Sequence, residues 1–228
     1  MEQLPLGIQL RERATFDAFH PGVNLEALRH LEILADGRPG VAWIWGAQGV
    51  GRSHLLQAVC ARATGRVRSA CLSVPELRPA GAASLRGWTR FGVLCLDDID
   101  DAVGDAGFER ALFSLFLDAQ ERNAVLVVAA AAAPAALSWS LADIGSRFAG
   151  SDVFQIHPLD DDDQRAALTA RAAARGLDLP DETARYLQRH LPRDMGSLCA
   201  VLDALDTASL AAQRPITLPF IREVLGGS

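Results

Sequence analysis

The segment Gly46-Ala47-Gln48-Gly49-Val50-Gly51-Arg52-Ser53-His54, set directly behind the apolar run 41–45, constrains this chain more than any other. A short continuous apolar run is the pattern of a strand buried on both faces of a parallel sheet. Residues 54–63 read as the helix behind the loop. The segment fits G-x-x-x-x-G-K-[ST] at every position but one. In such a loop the glycines let backbone N–H groups cradle phosphates, and the helix N-terminus adds positive potential. The basic residue reaches the outer phosphates, and the Ser53 hydroxyl serves a magnesium ion. Arg52 stands where lysine is usual, in a chain that contains no lysine at all. Arginine is planar, bulkier and always charged. Nucleotide binding is therefore expected to survive and turnover to suffer.

The second carrier of chemistry is Val93-Leu94-Cys95-Leu96-Asp97-Asp98, four apolar residues closed by two carboxylates. This is the pattern of a Walker B strand, which delivers its acids to the sheet edge where phosphates sit. Asp97 would support magnesium, and Asp98 would position or activate water. Further strand patterns at 68–74 and 125–130 alternate with helical ones at 24–36 and 108–122, which predicts a parallel α/β sheet. The tract 129–133 is all alanine, which favours helix and makes the strand there the least secure element. Beyond 154–156 only helical spacing remains, at 160–175, 181–191, 194–211 and 217–225. The chain thus divides into an N-terminal peptide (1–12), an α/β nucleotide-binding domain (13–157) and a small all-helical lid (158–228). The acidic run 160–163 reads as a helix N-cap and first turn and not as a metal site.

Composition narrows the classes. Half of the 228 residues are hydrophobic, which excludes intrinsic disorder. The net charge is −6, and no dense Lys/Arg cluster is present, so autonomous sequence-specific DNA binding is not expected. The longest apolar run, 124–137, is shorter than the about 20 residues a bilayer span needs. With no leader pattern at the start, a cytoplasmic protein without membrane contact is expected. The four cysteines form no C-x-x-C pair and read as reduced core thiols. The five histidines form no H-x-x-x-H pair and call for no catalytic role.

Three smaller motifs complete a set: Thr15-Phe16-Asp17-Ala18-Phe19 with Gly22 and Asn24, then Ser146-Arg147-Phe148, then Arg193 in Pro192-Arg193-Asp194. With the loop and the acidic strand, in this order and spacing, they resemble P-loop AAA+ modules of the DnaA type, the bacterial replication initiator. The resemblance covers residues 14–225. It implies that Gly46, Gly49, Gly51, Arg52, Ser53, His54, Asp97 and Asp98 bind ADP or ATP. Ser53 and Asp97 would hold Mg2+, and Arg193 would act as the sensor-2 residue in cis. It also implies that Arg147 is an arginine finger aimed at a nucleotide held by a neighbouring subunit.

The chain departs from the initiator in having no counterpart of its DNA-binding or helicase-loading domains. It also carries Gln3-Leu4-Pro5-Leu6, which looks like a sliding-clamp-binding peptide with Gln3, Leu4 and Leu6 as contacts. In this, and in the stretches Leu177-Asp178-Leu179-Pro180, Leu202-Asp203-Ala204-Leu205-Asp206 and Thr217-Leu218-Pro219-Phe220, it is similar to the Hda family of DnaA-related proteins. That resemblance implies a negative regulator of replication initiation. Docked on the DNA-loaded sliding clamp (the β subunit of DNA polymerase III), it would stimulate hydrolysis of DnaA-bound ATP to leave inactive DnaA-ADP. Arg52, and alanines where AAA+ ATPases usually place a polar sensor-1 side chain, fit little intrinsic turnover. An active ATPase serving as helicase loader or adaptor is the alternative, as is a bridge with a vestigial site. Homo-oligomerisation stays open.

Overall fold

A computed structural model of the chain describes residues 14–192, 194–214 and 216–226. Five parallel strands form one sheet: β1 (Gly40–Trp45), β2 (Ser69–Ser73), β3 (Val93–Asp97), β4 (Val125–Ala130) and β5 (Asp152–Gln155), in the spatial order β2-β3-β4-β1-β5. β1 lies between β4 and β5, with Ala42 opposite both Val127 and Asp152. Alternation along the central strands feeds two cores. Ala42, Ile44, Val93, Cys95, Val125 and Val127 face α1 (Leu25–Ala35) and α2 (Arg52–Ala63). Trp43, Leu94, Leu96, Leu126 and Val128 share the other core with α4 (Ala106–Glu121) and α5 (Ala142–Ala149), beside the short α3 (Val74–Leu77). Burial on both faces explains why these strands read as continuous apolar runs.

The alanine tract does enter the sheet. β4 pairs with both β1 and β3, and Ala129 and Ala130 are fully buried, so tertiary packing overrides alanine's helical preference here. Two details differ from the sequence reading. A fifth strand, β5, precedes the helical part; it is short, lies at the sheet edge and has mostly exposed residues, which hides it from a hydrophobic pattern. The four cysteines are scattered in sequence, yet Cys60, Cys71 and Cys95 converge in one core between α2, β2 and β3. The neighbouring Cys60 thiol, then burial, pushes the Cys71 thiol up, and burial does the same for Cys95. All three are free, protonated core thiols.

Four helices follow: α6 (Asp161–Ala174), α7 (Asp181–His190), α8 (Met195–Ala212) and α9 (Leu218–Gly226). Asp160 caps α6 by accepting from the N–H groups of Asp162 and Asp163 at 3.0 and 2.8 Å, the N-cap role expected of the acidic run. Leu168, Leu187, Leu198, Leu202, Leu205 and Ile221 form the core of this helical part. α8 is long and apolar enough, by length and composition alone, to cross a membrane; here Leu198, Leu202 and Leu205 point into that core.

Candidate nucleotide site and arginine finger

The glycine-rich loop follows β1 at the C-terminal edge of the sheet, where the strand order switches and ligands of open α/β sheets bind. Gly49 and Gly51 take positive φ values of 81° and 101°, which turn the chain tightly into α2. The loop is packed from three sides. A Cβ at Gly46 would meet the Ile156 carbonyl oxygen at 2.4 Å, one at Gly49 would meet the Asp194 Cβ at 2.5 Å, and one at Gly51 would meet Phe19 at 2.8 Å. Asp194 caps α8, accepting from the Ser197 N–H at 2.7 Å, so the first turn of α8 rests directly on the loop.

Between sheet edge and helices lies a cleft of about 1310 Å³. Ala47 to His54, Asp98, Ala18, Phe19, Arg171, Asp194 and Ala131 are among the residues lining it. Arg52 reaches across it to Asp98, with Nη2 3.3 Å from Oδ1, and its side chain is only 11% exposed. Its Nη1 is buried without a hydrogen-bond partner among the described residues. An orphaned guanidinium nitrogen over a glycine cradle fits an anion such as a phosphate. Asp98 itself sits in the left-handed region at φ 50°. Burial and then the adjacent Asp97 carboxylate push its pKa up, against the pull of Arg52.

His54 is half-buried behind the loop and donates from Nε2 to the Thr15 carbonyl at 2.9 Å, tying α2 to the lead-in segment. Burial holds its pKa down, so the ring is neutral. Asp97 ends β3, and its Oδ1 accepts from the Asp98 N–H at 3.0 Å; it does not line the cleft as Ser53 does. Among the described residues no group of three or more His, Cys, Asp or Glu side chains is arranged to hold a metal. A Mg2+ here would depend on phosphate oxygens beside Ser53 and a carboxylate, the usual way this ion is held. Arg193, Gln3, Leu4 and Leu6 lie outside the described residues.

Arg147 is elsewhere. It is exposed on α5, at a hollow shared with Gly40, Gln120, Asn123 and Asp152, where β1, β4 and β5 begin. The loop lies at the other end of β1, a strand of 6 residues, or roughly 20 Å at the usual rise. Arg147 therefore faces away from its own cleft. Its neighbour Phe148 is fully buried among Trp43, Phe116 and Trp139, with centroids 5.1, 5.3 and 6.0 Å away.

Residues 161–225 match the family model described as Hda, lid domain. The whole fold is similar to domain III of the replication initiation protein DnaA from Thermotoga maritima. The TM-score is 0.77 at 20% identity, over 95% of this chain and 97% of that one. AMPPCP-bound DnaA from Aquifex aeolicus gives a TM-score of 0.74 at 20% identity, over 87% of this chain and 66% of that one. The Thermotoga maritima RuvB branch migration motor gives 0.65 at 14% identity, over 89% and 68%. The chain thus shares its fold with DnaA and RuvB, and its C-terminal helical part matches the Hda lid. Its parallel sheet, flanking helices and C-terminal helical part have the AAA+ arrangement.

In this AAA+ frame two arginines missed by the motif reading enter the cleft. Arg171 of α6 and Arg175, just past its end, line it, and Arg175 pairs with Asp203 of α8. A signal was available: they continue the spacing of the buried Gln164 and Leu168 along one helical face, where an apolar residue would be expected.

Proposed function

We propose that this protein is a nucleotide-holding negative regulator of replication initiation that supplies Arg147 to an ATP site on DnaA. The observation that carries the reading is the place of Arg147: exposed, on a helix locked by Phe148, and a strand's length from its own cleft. An arginine so placed is out of reach of the chain's own cleft and is open to a nucleotide held by another molecule. Supplied in trans, it stabilises charge on the transferring phosphoryl group, worth roughly 10³ to 10⁵ in rate in related chemistry. The Hda lid and the DnaA-like fold support DnaA as the partner.

The chain's own cleft fits a bound nucleotide, in line with the AMPPCP-bound DnaA structures that share the fold. The glycine loop and Arg52 would hold its phosphates, and Phe19 with Ala18 would flank its base. A bound Mg2+ would neutralise phosphate charge. With Asp98 paired to Arg52 and Ala131 where a polar side chain would orient water, the site favours retention, with ADP the resident nucleotide. Gln3, Leu4 and Leu6 would tether the protein to the sliding clamp.

The test is hydrolysis of labelled ATP prebound to DnaA, with DNA-loaded clamp, with and without this protein. Acceleration that is lost with Arg147→Ala, and separately lost with Gln3→Ala/Leu6→Ala, is the expected result. No acceleration, together with rapid turnover of free ATP by this chain alone, would overturn it in favour of a loader-type ATPase.

A further inference from the structure

Glu109, in the first turn of α4, is the one charged residue fully buried among the described residues. Its carboxylate is shared by two loops. Oε1 accepts from the Gly104 N–H at 2.7 Å and from the Ser140 N–H at 3.0 Å, while Oε2 accepts from the Leu141 N–H at 2.7 Å. Gly104 closes the loop that leaves Asp98, and Leu141 is the residue from which α5 starts.

The same two loops meet once more, nearer the cleft. Asp100 accepts from the Ala131 N–H at 3.0 Å through its Oδ1. Leu141 cannot cap α5 with its own side chain, and among the described residues no side-chain cap is made to that helix. Glu109 of α4 adds a carboxylate at its start, beside the helix's own Asp143 in the first turn. This suits the helix dipole and fixes the axis along which Arg147 is presented.

A buried carboxylate is a costly way to fill space. What it gives, and a leucine would not, is direction: three amides from two loops converge on one planar group. We propose that Glu109 is a positioning residue for Arg147, holding the start of α5 to the loop behind Asp98 so that the arginine is presented in one orientation. This rests on the reading of Arg147 as a residue acting in trans.

Glu109→Gln is the discriminating change. A glutamine oxygen can still accept from Gly104 and Ser140, but its NH2 group then faces the Leu141 N–H, donor against donor. The α5 contact is lost while the rest of the site keeps its shape.

The assay is hydrolysis of DnaA-bound ATP with DNA-loaded clamp, titrated with the full-length protein. Wild type, Glu109→Gln and Arg147→Ala are compared, with melting temperature and ADP affinity measured on each. The expected result for Glu109→Gln is a maximal rate lower by about tenfold to a hundredfold, the scale of a small misplacement of a catalytic group. Half-saturating concentration and ADP affinity should stay at wild-type values. A wild-type maximal rate in Glu109→Gln, with Arg147→Ala inactive, would overturn the positioning role alone. Full stimulation by Arg147→Ala would overturn the trans reading itself. If Glu109→Gln does not fold, Glu109→Leu replaces it, keeping α4 packed without the three bonds. Failure of both to fold would assign Glu109 to stability only and overturn the proposal.

Discussion

Arg52 Nη2 lies 3.3 Å from Asp98 Oδ1, so the cation of the glycine-rich loop and the carboxylate behind β3 neutralise each other across the cleft. Nη1 of the same guanidinium is buried and lacks an acceptor among the described residues. A phosphate oxygen delivered there would satisfy it. Arg52→Ala is therefore expected to weaken ADP binding by roughly 10- to 100-fold, the equivalent of about 1.5–3 kcal/mol for a hydrogen bond to a charged group. Asp98→Asn removes a charge that opposes phosphate and should cost no affinity. Titration of a fluorescent ADP analogue checks both, and unchanged binding by Arg52→Ala would remove the phosphate role.

His54 sets a pH dependence whose sign follows from burial. Its folded pKa is held below the ordinary 6.5, chiefly by desolvation. As pH falls through 6.5 the unfolded chain takes up a proton that the folded ring refuses, so stability falls with it. Asp98 acts in the opposite sense at lower pH: its raised folded pKa costs stability as pH climbs through 3.8. Urea unfolding from about pH 7.5 down to about pH 5 samples the histidine window. His54→Gln should show a shallower loss than wild type. An equal slope would mean that the folded ring protonates as readily as a free one.

The sheet was readable because β1, β3 and β4 are buried on both faces and their sequences show it. The site's loop was readable because glycine at 49 and 51 answers a local steric demand. Its polar closure was not. The pairing of Arg52 with Asp98 spans two strands, and nothing in either motif says that the two side chains satisfy each other. Glu109 looks like any acid in a helix's first turn; only the tertiary fold brings Gly104, Ser140 and Leu141 to it. Ser146-Arg147-Phe148 could be named from resemblance, but its position at the far edge of the sheet follows from the crossover that puts β5 beside β1. The three core thiols converge for a similar reason: Cys71 and Cys95 are register partners on neighbouring strands, a relation invisible along the chain.

Asn24 pins the lead-in segment to the start of the helical part. Its Nδ2 donates to the His157 carbonyl at 3.0 Å, its Oδ1 accepts from the His157 N–H at 2.8 Å, and the side chain is buried. Asn24→Ala leaves both backbone groups unpaired, at a cost of about 1–3 kcal/mol. For a chain of this size that lowers the melting temperature by roughly 2–4 °C for each kcal/mol. Asn24→Asp keeps the acceptor but sets a carboxylate against a carbonyl and should rescue little. Scanning calorimetry decides; a melting temperature equal to wild type for Asn24→Ala would show that the clamp contributes nothing to the fold.

Phe148 converts packing into presentation. It is fully buried, edge-on to Phe116 and against Trp43 and Trp139, while Gly145 is pressed so close to Trp139 that a Cβ there would sit 2.5 Å from the indole. Truncating it to alanine should cost about 3–5 kcal/mol, the range for large aromatic core residues. Phe148→Leu keeps most of the apolar contact and should fold, but it removes the ring that holds α5 in one rotation. The expected signature is a near-native melting temperature and ADP affinity, combined with a changed near-ultraviolet dichroism from Trp43 and Trp139 and a reduced stimulation of DnaA-bound ATP hydrolysis. If Phe148→Leu instead kept full stimulation while the tryptophan signal changed, Arg147 would not need a fixed α5, and its exposure alone would suffice for the role.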